Sequence, residues 1–576
     1  MLKLKKCPKN HTSDLDKAYS PAYTVDNVIN RLAHREVEIL KDLERIDTGR
    51  LQIPVYISRA GSSAQNVLPT RKQMGKGSTP EQAKASALME LIERFSLFSF
   101  RNTPENFTSL SWKQAEKSFK EELIPISEIL YSVREDLSLE KAREAMDLIE
   151  WDFCPALSLQ EDRTYYLPFN WFQKLNEFNG SSAGNTFEES ILQGGCELIE
   201  RHVSAIVDRQ ELVLPTIDPN SFFHPTLIQL HKNFVQNNIE LWIKDFTLDM
   251  GVPTVGALAY DRSTFPHLSE IVFTAGTATS PEKAAIRALT EIAQLAGDFV
   301  SGSNYDPSGL RKFRAIEETT WIKQGEKISL HSLPDISEND LLNEIYNLTS
   351  QLKAREFNLY TVDISEPNLN IPANYNIVPG FFFRERTPFA SLGLFIGRIL
   401  AEEYPVQEAK QKLDILGKIY PQKYFIHFFQ GLTELRRENW DKAAELFQGA
   451  EPLQPSKEEQ SLVAFYLAYS RTQTHKWDEA LHHLHRAISL SKDNHAYHNL
   501  RGVTYFQLQE YSQAAQDFET ALNIDRGSAT DLANLGLCHK YMNNPDKARK
   551  LLKKSLEKDP CLDFAYNQLQ ELEKSN

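Results

Sequence analysis

The stretch SALMELIERF, Ser86 to Phe95, has the apolar spacing of a packed helix, with Ala87, Leu88, Leu91 and Ile92 on its sides, yet the line Ser86, Glu90, Glu93 is polar. At about 100° per residue, positions i, i+4 and i+7 share an arc of roughly 60°, so the three polar groups form one stripe hemmed in by apolar neighbours. A stripe of this kind points into the protein. Two half-buried glutamates one turn apart repel, and desolvation disfavours their charged forms, so the arrangement demands a compensating charge.

The motif is written three times. GKGSTPEQAKASALMELIERF from Gly75 aligns with SAGNTFEESILQGGCELIERH from Ser182 at a shift of 107 residues, and with GTATSPEKAAIRALTEIAQLA from Gly276 at a shift of 201. Glu81, Glu90, Glu93 and Arg94 fall on Glu188, Glu197, Glu200 and Arg201. In the third copy Glu282 and Glu291 keep the first two positions, Gln294 replaces Glu93, and the place of Ser86 is held by Gln193 and then Arg287. A single ExxER is ordinarily a solvated helix face with an intrahelical ion pair. Three copies with one position varied argue instead for a shared buried site. The economical neutraliser of paired glutamates is a divalent cation that prefers hard oxygen ligands, such as magnesium, and Arg94, Arg201 and Arg287 add guanidinium forks suited to phosphate oxygens. Together they describe a nucleoside triphosphate site built on helices. GKGST at Gly75 lacks the four-residue spacer before GK[ST], which excludes a Walker P-loop. Lys76 is a further candidate for phosphate. The glycines of GKG and AGN are expected in turns that could bring backbone amides to phosphate at helix N-termini.

The C-terminal end repeats at a fixed period. Gly502 and Gly536, Ala514 and Ala548, and Asp525 and Asp559 are 34 residues apart; the same step backwards leads to Ala468, Ala480 and Ala487, and a step of 37 pairs Trp440 with Trp477. This is similar to the tetratricopeptide repeat (TPR), about four units over residues 421–576, with Tyr505, Tyr511 and Phe518 filling gaps and Pro560 following a helix end. Such arrays hold a peptide or protein partner, or make a homodimer.

With 576 residues, 41% hydrophobic and 25% charged, the chain is an ordinary folded protein of two to four domains. Its net charge of −14 excludes a general electrostatic grip on nucleic acid. No segment reaches 18 consecutive apolar residues, and the lysines of MLKLKKCPKNH are followed by no apolar signal region, so no membrane partner and a cytoplasmic location are expected. Five scattered cysteines without CxxC spacing imply neither a disulfide framework nor a zinc site. Upstream of residue 400, β-branched runs such as IVFTAG from Ile271 and LYTVDI from Leu359 alternate with helical patterns such as SPEKAAIRALTEIAQLAG from Ser280, which carries a Ser N-cap and Pro in its first turn. This is an α/β or α+β body. Residues 101–150 and Tyr305 to Asn343 read as excursions from it.

These residues resemble the YcaO family over positions 15–400, in the GKGSTPEQAKASALMELIER, NGSSAGNTFEESILQGGCELIER and SPEKAAIRALTEIAQ stretches, in SPAYTVDNVINRL from Ser20 and in IVPG at Ile377. The resemblance divides the chain into an N-terminal segment (1–60), a YcaO-type ATP-binding α/β (α+β) body (61–400), a linker helix (401–420) and an all-α TPR solenoid (421–576). It implies magnesium-bound ATP and activation of a peptide backbone amide by phosphorylation of its oxygen. Attack by a neighbouring Cys, Ser or Thr side chain then gives an azoline, a sulfide source gives a thioamide, and an amine gives an amidine. It implies Glu90, Glu93, Glu197 and Glu200 as magnesium carboxylates. Lys76, Ser86, Arg94, Glu189, Gln193, Arg201 and Arg287 become ATP contacts or orient those carboxylates, Glu189 on the family motif alone; no catalytic residue is assigned. Azoline-forming members commonly end in a proline-rich tail, whereas here Arg384, Glu385, Arg386 and Pro388 lead into a helix, which puts thioamide formation ahead. Nothing in the chain resembles a fused leader-binding domain, so a peptide or protein substrate, or a sulfur-transfer or leader-binding partner, is expected on the repeats. The alternative is a non-catalytic ATP-binding adaptor or accessory factor, for example for ribosomal protein methylthiolation, acting through the TPR region.

Overall fold

The computed structural model describes residues 2–33, 38–296, 299, 312–387, 389–525, 527–559 and 561–574; Pro388, Pro560 and the beginning of the Tyr305 to Asn343 segment lie outside them. The chain forms two compact units, Met1–Leu139 with Glu150–Pro388, and Glu140–Ile149 with Phe389–Asn576.

The first unit contains three sheets. Leu40–Arg45, Val55–Ala60 and Lys72–Lys76 make an antiparallel three-stranded sheet. A six-stranded sheet runs Thr108–Ser111, Glu150–Ser158, Tyr360–Asp363, Ala373–Ile377, Ser181–Ala183, with Arg163–Pro168 also paired to Glu150–Ser158. A five-stranded sheet runs Val272–Thr277, Thr254–Tyr260, Glu240–Asp245, Thr216–Ile217, Lys327–Ile328, and only its last pair is parallel. Mostly antiparallel sheets with helices beside them make the body α+β.

Each copy of the repeated motif is a strand, a tight turn and a long helix. Lys72–Lys76 leads to α1 (Pro80–Arg101), Ser181–Ala183 to α2 (Phe187–Gln210), and Val272–Thr277 to α3 (Pro281–Ala296). Every helix begins on a capping hydroxyl: Thr79, Thr186 and Ser280 accept from the amides of Gln82, Glu189 and Lys283 at 3.2, 3.1 and 3.4 Å. That satisfies one of the four amide donors left free at a helix start.

Strand and helix are pressed together at one equivalent contact in all three copies. A Cβ on Gly75 would lie 2.0 Å from the Ala87 amide, and one on Gly276 would lie 2.4 Å from the Ala288 amide, so backbone approaches backbone there. In the second copy the small residue changes sides: Ser182 stands on the strand, and the helix supplies Gly194, whose Cβ would meet Ser182 Oγ at 2.6 Å. Gly75 was expected in a turn. It is a strand residue instead, and close packing explains it. Ala87, Leu88, Leu91 and Ile92 of α1 are all buried, as their spacing required.

Apart from Glu140–Ile149, which groups with the second unit, the described residues of the two expected excursions are parts of the body. Residues 101–150 supply the edge strand Thr108–Ser111, with Leu110 opposite Trp151, and the buried Trp112, Ile126 and Ile129. Of the later segment, Lys327–Ile328 closes the five-stranded sheet, and Ile322, Leu330 and Leu333 are buried.

In the second unit, helices Leu392–Glu403 and Val406–Ile419 precede four helix pairs: Tyr424–Arg436 with Trp440–Ala450, Lys457–Gln473 with Trp477–Leu490, His495–Gln507 with Tyr511–Ile524, and Ala529–Tyr541 with Pro545–Lys558. A last helix, Asp563–Lys574, follows. Leu392–Glu403 therefore belongs with the helices after it, although the body was expected to reach residue 400. The repeat glycines have a steric reason: a Cβ on Gly431, Gly502 or Gly536 would stand 2.6, 2.9 or 3.0 Å from Phe447, Phe518 or Leu552 of the paired helix. No described helix is long and apolar enough to cross a membrane.

Candidate functional site

The polar stripes of α1, α2 and α3 line one cleft of about 220 Å³ in the first unit. All eleven residues singled out from the sequence are in its wall: Lys76, Ser86, Glu90, Glu93 and Arg94, then Glu189, Gln193, Glu197, Glu200 and Arg201, and Arg287 from the third copy.

The carboxylates are balanced by arginines. Arg94 reaches Glu93 at 3.2 Å and Glu90 at 3.7 Å, Arg201 reaches Glu197 at 3.7 Å, and Arg287 reaches Glu200 at 3.9 Å. Glu93 also accepts from Ser181 Oγ at 2.6 Å, and the free face of the Arg94 guanidinium lies 4.2 Å over the Phe178 ring. Glu200 accepts from the Thr277 amide at 3.0 Å, which ties α2 to the strand before α3. Arg287 donates to Gln193 Oε1 at 2.8 Å, so two of the three variable positions touch each other. Lys76 pairs with Glu291, the third-copy equivalent of Glu90.

This crowding shifts proton affinities. Burial, together with the neighbouring Glu197 and Glu90, pushes the Glu93 carboxyl up to about 8 against the pull of Arg94. Burial and Glu197 raise Glu90 as well. Lys76 is pushed down to about 8, first by burial and then by Arg287. Charges that are this expensive to hold in a folded chain mark a place prepared for something else.

Among the described residues, no three His, Cys, Asp or Glu side chains already converge with metal-ligand spacing. The donor set nevertheless suits a magnesium-bound polyphosphate: hard carboxylate oxygens for the ion, guanidinium forks for the phosphates, and at Arg201 a buried Nε that faces Glu197 at 3.7 Å and, among the described residues, has no hydrogen-bond partner.

Part of the wall was not foreseen. The N-terminal segment contributes Asp14, Lys17 and Tyr19. It is fastened by Ala18 N donating to Glu189 at 3.1 Å, Lys17 facing Glu189 at 3.6 Å, and Ser78 Oγ donating to Asp14 at 2.8 Å. Glu189 thus anchors this segment as well as facing the cleft. Nothing local in the sequence signals such a contact, because its partners are more than 60 positions apart.

Comparison with known proteins fits this geometry. The family model for the YcaO cyclodehydratases, described as ATP- and Mg2+-binding, matches residues 74–382, more than half of the chain, and the chain belongs to that family. A second model, Iml2/Tetratricopeptide repeat protein 39, matches residues 377–534. An uncharacterized protein of Methanothermobacter thermautotrophicus is 24% identical over 63% of this chain and 94% of its own length. An uncharacterized protein in the tfuA 3′ region of Rhizobium leguminosarum bv. trifolii is 24% identical over 54% of this chain and 73% of its own. Among solved structures, a heterocyclase in complex with substrate and cofactor shares the fold with a TM-score of 0.52 and 22% identity, over 66% of this chain. The chain spans 54% of the length of that heterocyclase.

Proposed function

We propose that this protein uses magnesium-bound ATP to activate a backbone amide of a peptide or protein by phosphorylating its oxygen, and that the repeats recruit the substrate or a partner that delivers sulfur. The observation that carries the reading is the convergence of three copies of one motif on a single cleft, with seven acidic and basic side chains from α1 and α2 facing it. Glu90, Glu93, Glu197 and Glu200 hold the ion, and Lys76, Ser86, Arg94, Glu189, Gln193, Arg201 and Arg287 orient the phosphates and the carboxylates. Bound ATP supplies the phosphoryl group, and magnesium spreads its charge during transfer. The chain's own work is positional. Bound magnesium would supply the counter-charge that Arg94, Arg201 and Arg287 now give Glu90, Glu93, Glu197 and Glu200, and those guanidinium groups would then be free to hold phosphate oxygens. Glu93 and Glu90 must release any proton they hold as the ion arrives.

Thioamide formation is the preferred product class, because the chain after Arg386 continues into helices and repeats. The test is purified full-length protein with ATP, magnesium and candidate peptides, followed by nucleotide product and peptide mass. Phosphate release with a mass change of +16, for oxygen replaced by sulfur, supports the thioamide; a loss of 18, for water, makes it an azoline enzyme. Nucleotide binding without hydrolysis for any peptide leaves the adaptor role.

A further inference from the structure

Four arginines gather on the stretch GFFFRER, residues 380–386, two of them its own and two from elsewhere in the first unit. Arg134 Nε donates to Gly380 O at 3.0 Å, Arg209 Nη2 to Phe383 O at 2.7 Å, and Arg386 Nη1 to Ser132 O at 2.8 Å. The guanidinium groups of Arg134 and Arg209 lie 4.1 and 5.9 Å from the centre of one ring, that of Phe382. The Phe382 amide donates to Nδ1 of the buried His202 at 2.9 Å, which fixes the ring's backbone.

Those bonds all end on backbone carbonyls, which satisfy donors without cancelling charge. Among the described residues no carboxylate forms an ion pair with Arg134, Arg209 or Arg386, and only Arg384 faces one, Asp208 at 3.8 Å from its Nε. Arg386 Nε is buried and, among the described residues, has no hydrogen-bond partner. Burial, and after it the neighbouring Arg209 and Arg134, push Arg386 down to about 10. Like charges packed together in a chain of net charge −14 cost free energy unless an anion joins them. Arg134 and Arg209 are exposed, so an anion can reach the group from solvent.

We infer that Arg134, Arg209 and Arg386, gathered around Phe382, form a docking surface for an acidic segment of a polypeptide. Guanidinium forks match carboxylates in pairs, and the half-buried Phe382 ring adds an apolar contact between them. A grip on nucleic acid needs an extended basic face, whereas Asp208, Glu211 and Glu385 interrupt this one. None of the arginines lines the nucleotide cleft, so docking here and nucleotide binding there are separate properties of the first unit.

Fluorescence anisotropy on the full chain at low salt tests it with three labelled probes of similar length: a peptide alternating glutamate and glycine, one alternating lysine and glycine, and an oligothymidylate. The acidic peptide is expected to bind, with an affinity that falls as salt is added, and the basic peptide is not. Arg134→Gln together with Arg209→Gln is expected to weaken the acidic peptide by about 10-fold or more, as for two lost charge-assisted forks. Glu385→Gln removes a carboxylate near Arg209 that makes none of the bonds above, and it is expected to tighten the peptide by about 3-fold. That second variant keeps the test decisive should the double variant fail to fold. No binding of the acidic peptide, or equal binding to wild type and both variants, overturns the docking surface. So does an oligothymidylate that binds more tightly than the acidic peptide, since the patch would then be a nucleic-acid surface. Calorimetry with magnesium and the β,γ-methylene analogue of ATP is expected to give one affinity for wild type and double variant. A matched loss of analogue and peptide would show that the arginines only brace the fold, and it would overturn the surface as well.

Discussion

Replacing Glu93 by glutamine should stabilise the protein while destroying its site. The carboxyl is 14% exposed, one turn from Glu90, and pushed up to about 8 from the ordinary 4.5. Between those limits the folded chain keeps a proton that the unfolded chain has released. The associated stability is therefore fully present below pH 4.5 and is lost as the pH rises towards 8. At about 1.4 kcal/mol per pH unit, the ligand-free protein loses on the order of 2 to 3 kcal/mol between pH 6 and pH 8 through this group. Glutamine is neutral at every pH and keeps an oxygen for Ser181, and Arg94 retains Glu90. Urea unfolding of the first unit, followed at pH 6 and pH 8, should show Glu93→Gln close to wild type at pH 6 and more stable at pH 8. Magnesium with the β,γ-methylene analogue at a hundred times its Kd should add about 2.7 kcal/mol to wild type and little to the variant. A variant that is less stable than wild type at pH 8, or that gains equally from the ligand, would refute the argument.

Further outcomes follow from the packing. Gly75→Ala places a Cβ 2.0 Å from the Ala87 amide, so strand and α1 must part, and a loss of about 1 to 3 kcal/mol or more is expected in urea unfolding. His202 is buried, stacked 4.2 Å from Phe381, and pushed down to about 3 first by burial and then by Arg134 and Arg386. Its stability contribution is complete above pH 6.5 and falls by about 1.4 kcal/mol per unit as the pH drops towards 3, so His202→Asn should flatten the acid limb of the stability profile. Gly502→Leu drives a side chain into Phe518 and should melt part of the repeats by circular dichroism, while calorimetric nucleotide binding by the first unit stays unchanged.

What could be read from the sequence was whatever repeats or has a local period. Glu90, Glu93, Glu197 and Glu200 stood out because the same spacing recurs at shifts of 107 and 201, and one cleft now gathers them. The helix pairs were legible from glycines and alanines 34 residues apart, and Gly502 and Gly536 face Phe518 and Leu552 of the paired helix. Contacts made only by the tertiary structure were hidden. Lys17 and Asp14 reach the cleft from a segment with no periodic signal, and Thr108–Ser111 is too short and too polar to reveal the large sheet it edges. The exchange of small residue between Ser182 and Gly194 becomes intelligible only when strand and helix are seen in contact.

The central claim is that four glutamates on α1 and α2 hold magnesium and thereby nucleotide. Calorimetric titration of the full chain with the β,γ-methylene ATP analogue, with and without magnesium, tests it directly. Binding that requires magnesium and disappears in Glu90→Gln and in Glu197→Gln is the predicted result; equal affinity without magnesium, or no binding at millimolar analogue, would contradict it.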